Sequence, residues 1–153
     1  MKISIWTILT FIGLGLHSIN SEILRPKFGG QDELIGFILG VAPNFLAAGL
    51  IFPFGVLMIA ENYNKETISK INNYFWFGLV SSQVGLIVWE FMQESSEKLV
   101  FDLNDITVTL FGGLFAIGIY QMNKKRYLRK KTAHNNVSSP TFMGFFVCGM
   151  MGR

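Results

Sequence analysis

The chain has 153 residues, half of them apolar and 15% charged, with a mean hydropathy of +0.41. A soluble domain of this make-up would lack the polar surface to cover itself, so the consistent reading is one unit solvated largely by lipid. The formal charge of +3 arises from one basic cluster after the last apolar segment, which points to a topology signal rather than to nucleic acid. The single cysteine, Cys148, can form no internal disulfide and has no neighbouring ligands for zinc.

The first apolar segment, Ile3 to Ile19, is just long enough to cross hydrocarbon at roughly 17 residues. It also has the shape of a secretory signal, but no small-x-small cleavage site follows, and an uncleaved helix is expected. The second, Leu34 to Ala60, would be about 40 Å long if straight, against a hydrocarbon core of about 30 Å. It must tilt, bend or protrude, and Pro43 and Pro53 predict kinks whose freed carbonyls are met by neighbouring helices or side chains. Gly36, Gly40, Asn44 and Ala48 recur every four residues and mark a packing seam.

The third segment, Tyr74 to Met92, opens on Tyr74, Phe75, Trp76 and Phe77 and closes on Trp89 and Phe91, which read as two interfacial belts. Ser81, Ser82 and Gln83 within it are expected to bond neighbouring helices or their own backbone. The fourth runs from near Asp105 to Met122, with Gly112, Gly113 and Gly118 as close-packing points and Asn104 or Asp105 as its cap. Beyond it, Lys124, Lys125, Arg126, Arg129, Lys130 and Lys131 open a basic tail. Phe142 to Met151 is apolar but too short to span.

The expected fold is therefore all-α: a polytopic transmembrane bundle of four helices, or three if the first segment is cleaved. Residues 1–122 form the membrane domain, and 123–153 a flexible, basic cytoplasmic tail. By the positive-inside rule both ends are cytoplasmic, and the connections carrying Arg25, Lys27 and Lys98 face outward. The predicted location is a bacterial inner membrane, with membrane lipids as partners and helix–helix self-association through the glycine seam.

The informative polar residues gather at the outward ends of the third and fourth helices. Glu90, Gln93 and Glu94 share one helical face, and a short connection returns Asp102 and Asp105 beside them. Glu90 is the sharpest, because an ionisable group after a long apolar run is costly unless paired or functional. Arg25 and Lys27 are the expected charge partners of Glu90, Asp102 or Asp105, a packing role weighed evenly against a ligand site. Asn44, near the kink, reads first as an interhelical hydrogen bond and second as a ligand contact. No nucleophile stands beside a base, His17 and His134 fall on different surfaces, and no metal cluster or cofactor motif is present, so enzymatic chemistry is not expected. A divalent cation bridging the carboxylates to an anionic headgroup is chemically admissible, although no loop has a calcium-binding pattern.

The run Glu90-x-x-Gln93, Phe101-Asp102-x-Asn104-Asp105 and Gly112-Gly113 resembles the second half of VanZ-like proteins, small bacterial membrane proteins of about four or five crossings. The resemblance covers residues 78–118, about a quarter of the chain. Leu99 and Val100 stand where that family carries an arginine, with Lys98 adjacent, and Thr109 stands where it carries an asparagine. The resemblance implies an envelope role linked to glycopeptide tolerance, with a lipid or lipid-linked envelope compound held at an outer rim of Glu90, Gln93, Asp102 and Asp105. Two other readings remain open. One is a small proton-coupled carrier in which Glu90 titrates and Asn44, Gln83 and the prolines line a path. The other is a structural subunit that binds partner helices and no ligand.

Overall fold

The computed structural model describes residues 3–63, 67–94 and 102–137, and these form four long helices with no strand among them. We label them α1 (Ile5–Phe28), α2 (Glu33–Tyr63), α3 (Thr67–Glu94) and α4 (Leu103–Val137). Each contains a stretch long and apolar enough to cross a membrane. The surface fits that solvent: Phe11, Ile12, Phe37, Ile38, Phe77, Phe111 and Leu114 are all exposed, as lipid-facing side chains should be.

Two helices run on further than sequence spacing indicates. Helix α1 does not stop at Ile19 but continues through Arg25 to Phe28, so Arg25 and Lys27 sit on helix and not in a loop. Helix α4 does not end at Met122 but reaches Val137. The first part of the basic tail thus continues the last helix. The expectations for Lys98, Phe101 and the stretch 142–151 lie outside the described residues.

Wide turns precede two of the prolines. In α1 the regular helix Ile5–Ile19 gives way to a π-helical turn at Asn20–Leu24, and in α2 Glu33–Leu46 gives way to one at Ala47–Ile51. Each ends two residues before a proline, Pro26 or Pro53. Both close through an i→i+5 bond, Arg25 N–H to the Asn20 carbonyl and Phe52 N–H to the Ala47 carbonyl. The extra residue in the turn lets a helix absorb the missing proline donor and its ring without breaking. Pro43 is handled differently. It leaves the Leu39 carbonyl without its i+4 donor, and the Asn20 side-chain amide of α1 donates to that oxygen at 2.9 Å. A neighbouring helix satisfies the orphaned carbonyl, as a proline at membrane depth requires.

Close packing falls at the two ends of the small-residue seam of α2: a methyl on Gly36 would lie 2.6 Å from the Gly29 carbonyl oxygen, and Ala48 meets α4. A methyl on Gly40 would meet open space, whereas one on Gly112 would lie 2.8 Å from the Phe45 carbonyl oxygen and 3.1 Å from the Ala48 Cβ. Gly49 in turn faces the Gly112 carbonyl at 3.1 Å. The π-helical turn of α2 and the glycine of α4 therefore cross with their backbones nearly touching, a contact only small residues permit.

At the end of the bundle formed by the start of α1, the end of α2, the start of α3 and the middle of α4, aromatic side chains fill the core. Trp6 is fully buried and stacks on Phe54 at 5.6 Å between ring centroids, while Phe75 stacks on Tyr120 at 3.9 Å. Phe75 thus turns inward and leaves the expected belt, whereas Trp76, Phe77, Trp89 and Phe91 remain exposed. The polar groups here close the same end: Tyr127 donates to Glu61 at 2.8 Å, and Tyr120 and Lys124 both donate to the Asn72 carboxamide oxygen. These bonds bind the extension of α4 to α2 and α3.

Candidate functional site

The opposite end gathers the polar residues of α2, α3 and α4. Glu90 lies on α3 and is only 1% exposed. Its Oε1 accepts from two carboxamides, Asn44 Nδ2 of α2 at 3.2 Å and Gln93 Nε2 one turn along α3, also at 3.2 Å. Gln93 reaches Glu90 because residues three apart share a helix face. Asn44 reaches it because α2 and α3 run side by side and the π-helical turn begins just beyond. Glu90 Oε2 is buried and has no hydrogen-bond partner among the described residues.

Asp105 completes the cluster from the first turn of α4. It lies within electrostatic reach of Glu90, Asp102 and Arg25, with the Asn44 side chain close by. One neutral amide, that of Asn44, ties α2 to the Glu90 carboxyl of α3, and the Asp105 carboxyl of α4 stands beside them. Buried acids normally require a cation or several donors to offset the loss of water. Here the direct partners of Glu90 are amides and not the cations anticipated for it, since Arg25 is exposed at the end of α1 and Lys27 lies over the Phe28 ring.

Asp102 has a different occupation. Its Oδ1 accepts from the Asn104 backbone and side-chain nitrogens, both at 2.8 Å, so it caps α4 in place of Asn104 or Asp105. Released from capping, Asp105 can turn toward Glu90. The expected set of Asn44, Glu90, Gln93 and Asp105 is thus brought together, with Asp102 at its margin contributing charge. Among the described residues no group of three His, Cys, Asp or Glu side chains converges as a metal ion would need.

Gln83 carries a second polar signal. Both polar atoms of its carboxamide are buried without a partner among the described residues, and it rests against Gly113, where a methyl would lie 2.7 Å from Nε2. Ser82 beside it behaves simply, returning its hydroxyl to the Leu79 carbonyl at 2.8 Å. Gln83 stands seven residues from Glu90 on α3, the same face about 10 Å lower.

Searches against protein-family models, curated proteins and solved structures give no match to this chain.

Proposed function

We propose that this is a multi-pass envelope protein of the VanZ-like kind, set in a bacterial cytoplasmic membrane with both ends inside. It binds a lipid or lipid-linked envelope compound at the polar cluster around Glu90, and through that binding contributes to glycopeptide tolerance. The observation that carries this reading is Glu90 itself: buried, held on one oxygen by two amides, and unpartnered on the other among the described residues. Helix packing alone would be served better by an apolar residue or a complete ion pair, so an acid left half-satisfied at membrane depth indicates an occupant. Several elements of the resemblance to VanZ-like proteins also fall together in space, with Glu90, Gln93 and Asp105 in one cluster and Gly112 at the crossing that brings α2 against α4.

Native mass spectrometry of detergent-purified protein, wild type beside a Glu90→Gln, Asp105→Asn double variant, tests the proposal. A small molecule retained by the wild type and lost by the variant is expected. Bare protein in both, at one fixed oligomeric mass, would assign the cluster to packing alone.

Gln83 favours a second reading, a proton-coupled carrier. An amide two turns below Glu90, unpartnered among the described residues, extends the polar line into the bundle, where conducting proteins place such groups. Solute uptake into proteoliposomes driven by a pH gradient, abolished by Gln83→Leu, would move the conclusion to transport.

A further inference from the structure

We infer that the group seated at this cluster is a primary ammonium, presented by a zwitterionic phosphoethanolamine-type head group. This rests on the binding reading above and names the chemistry of its ligand. The hydrogen-bond inventory leads to it. The donors that reach Glu90 among the described residues are the amides of Asn44 and Gln93, and both are engaged on Oε1. What remains is acceptor: Glu90 Oε2, the Asp105 carboxyl, and the negative field of Asp102.

A phosphate or carboxylate brings only acceptors and negative charge to such a place and is repelled. A bare divalent cation wants a fuller set of oxygen ligands than the described side chains supply. An alkylammonium brings three N–H donors and one positive charge in a compact head. One donor meets Glu90 Oε2, a second meets Asp105, and charge-assisted bonds of this kind are about twice as strong as neutral ones.

The surroundings suit the remainder of the molecule. Asp105, Asn44 and Gln93 are half-buried, so the cluster opens to the surface on their side while Glu90 lies beneath. The exposed Arg25 at the end of α1 is within electrostatic reach of Asp105, so this side of the acids offers a cation to the phosphate of a zwitterion. Trp89 and Phe91 face outward next to Glu90 and give acyl chains an aromatic surface.

The test is a lipid titration of the delipidated full chain, read by native mass spectrometry, with phosphatidylethanolamine, phosphatidylglycerol and phosphatidylcholine as separate probes. Phosphatidylethanolamine should be retained about tenfold more than either of the others, because glycerol lacks the charge and a quaternary ammonium lacks the donors. Glu90→Gln and Asp105→Asn, each checked for wild-type helicity and elution, should bring the three lipids to near equality, and Lys125→Gln at the far end should leave the preference intact. Soluble O-phosphoethanolamine separates two sources of the same chemistry: displacement of the lipid means that the head group suffices, and no displacement means that the tails are needed. Equal or stronger retention of phosphatidylglycerol or phosphatidylcholine that still depends on Glu90 would overturn the ammonium and leave the binding reading standing. Retention of no probe by the wild type would overturn the ammonium head group, and the binding reading falls only if the purified wild type also carries no small molecule.

Discussion

Asn44 shows how one residue can set the character of a site. Its amide donates from α2 to the buried carboxyl of Glu90 on α3, with Asp105 of α4 nearby. Replacing it with alanine leaves Glu90 short of a donor. Interhelical hydrogen bonds in membrane proteins contribute about 0.6 kcal/mol on average and rarely above about 1.7 kcal/mol, and the burial of the acceptor places Asn44→Ala near the upper figure. In a Glu90→Gln background the loss should be clearly smaller, since the buried carboxyl is gone. Reversible unfolding in mixed micelles, run as a double-mutant cycle, measures the difference; strictly additive effects would show that Asn44 and Glu90 do not communicate. The importance of Glu90 was legible in the sequence, because an acid closing a long apolar run has few inexpensive explanations. Gln93 was legible too, grouped with Glu90 by its three-residue spacing, and Asn44 was marked as an interhelical hydrogen bond. What the sequence did not show is that Asn44 reaches Glu90, 46 positions away, where opposite charge had favoured Arg25 and Lys27. Asp102 was similarly hidden, since an acid at a helix start can cap or coordinate, and only the backbone path decides which.

Among the elements, the proline-bearing helices carry the clearest lesson. Pro43 and Pro53 announce bends by their chemistry alone, but the remedies depend on what lies alongside. For Pro43 that remedy is Asn20, buried to 3% exposure in the π-helical turn of α1, with its amide on the Leu39 carbonyl. Nothing in the spacing of α1 marked Asn20, because a polar residue at the edge of an apolar segment reads as a boundary. Asn20→Leu should destabilise the bundle by about 1 kcal/mol, leaving a buried carbonyl without a donor. The same change in a Pro43→Ala background should be close to neutral, because alanine at that position supplies the backbone N–H that the Leu39 carbonyl lacks. Thermal unfolding of the four proteins in one detergent compares them directly, and an equal loss in both backgrounds would show that Asn20 acts by packing instead. The glycine seam followed the same logic. Four-residue spacing identified α2 as a close-packing helix, with Gly36 against the Gly29 carbonyl and Ala48 against Gly112, and the π-helical turn adds Gly49, which the spacing does not mark.

Across the whole molecule the two ends differ, and the difference bears on which side of a membrane the cluster faces. The Trp6 end is closed by stacked rings and by the bonds that tie Tyr127 and Lys124 to neighbouring helices. From it α4 emerges as a 35-residue helix, about 52 Å long. A bilayer core of about 30 Å cannot contain that length, so the end carrying Lys124, Lys125, Arg126 and Arg129 stands out of the lipid. Four such cations beside one end of a span are what the proposed orientation rests on, and under it the Glu90 end would face outward. In a Cys148→Ser background, single cysteines at Gly30 and at Lys125 report on the two ends. Gly30 is exposed in the turn between α1 and α2, and a side chain there meets nothing within 4 Å; Lys125 is exposed on α4. A membrane-impermeant maleimide should label Gly30→Cys in intact cells and Lys125→Cys only after permeabilisation. The reverse pattern would place Glu90, Asp105 and Asn44 at the cytoplasmic leaflet, and a ligand drawn from the outer envelope would then have no direct route to them.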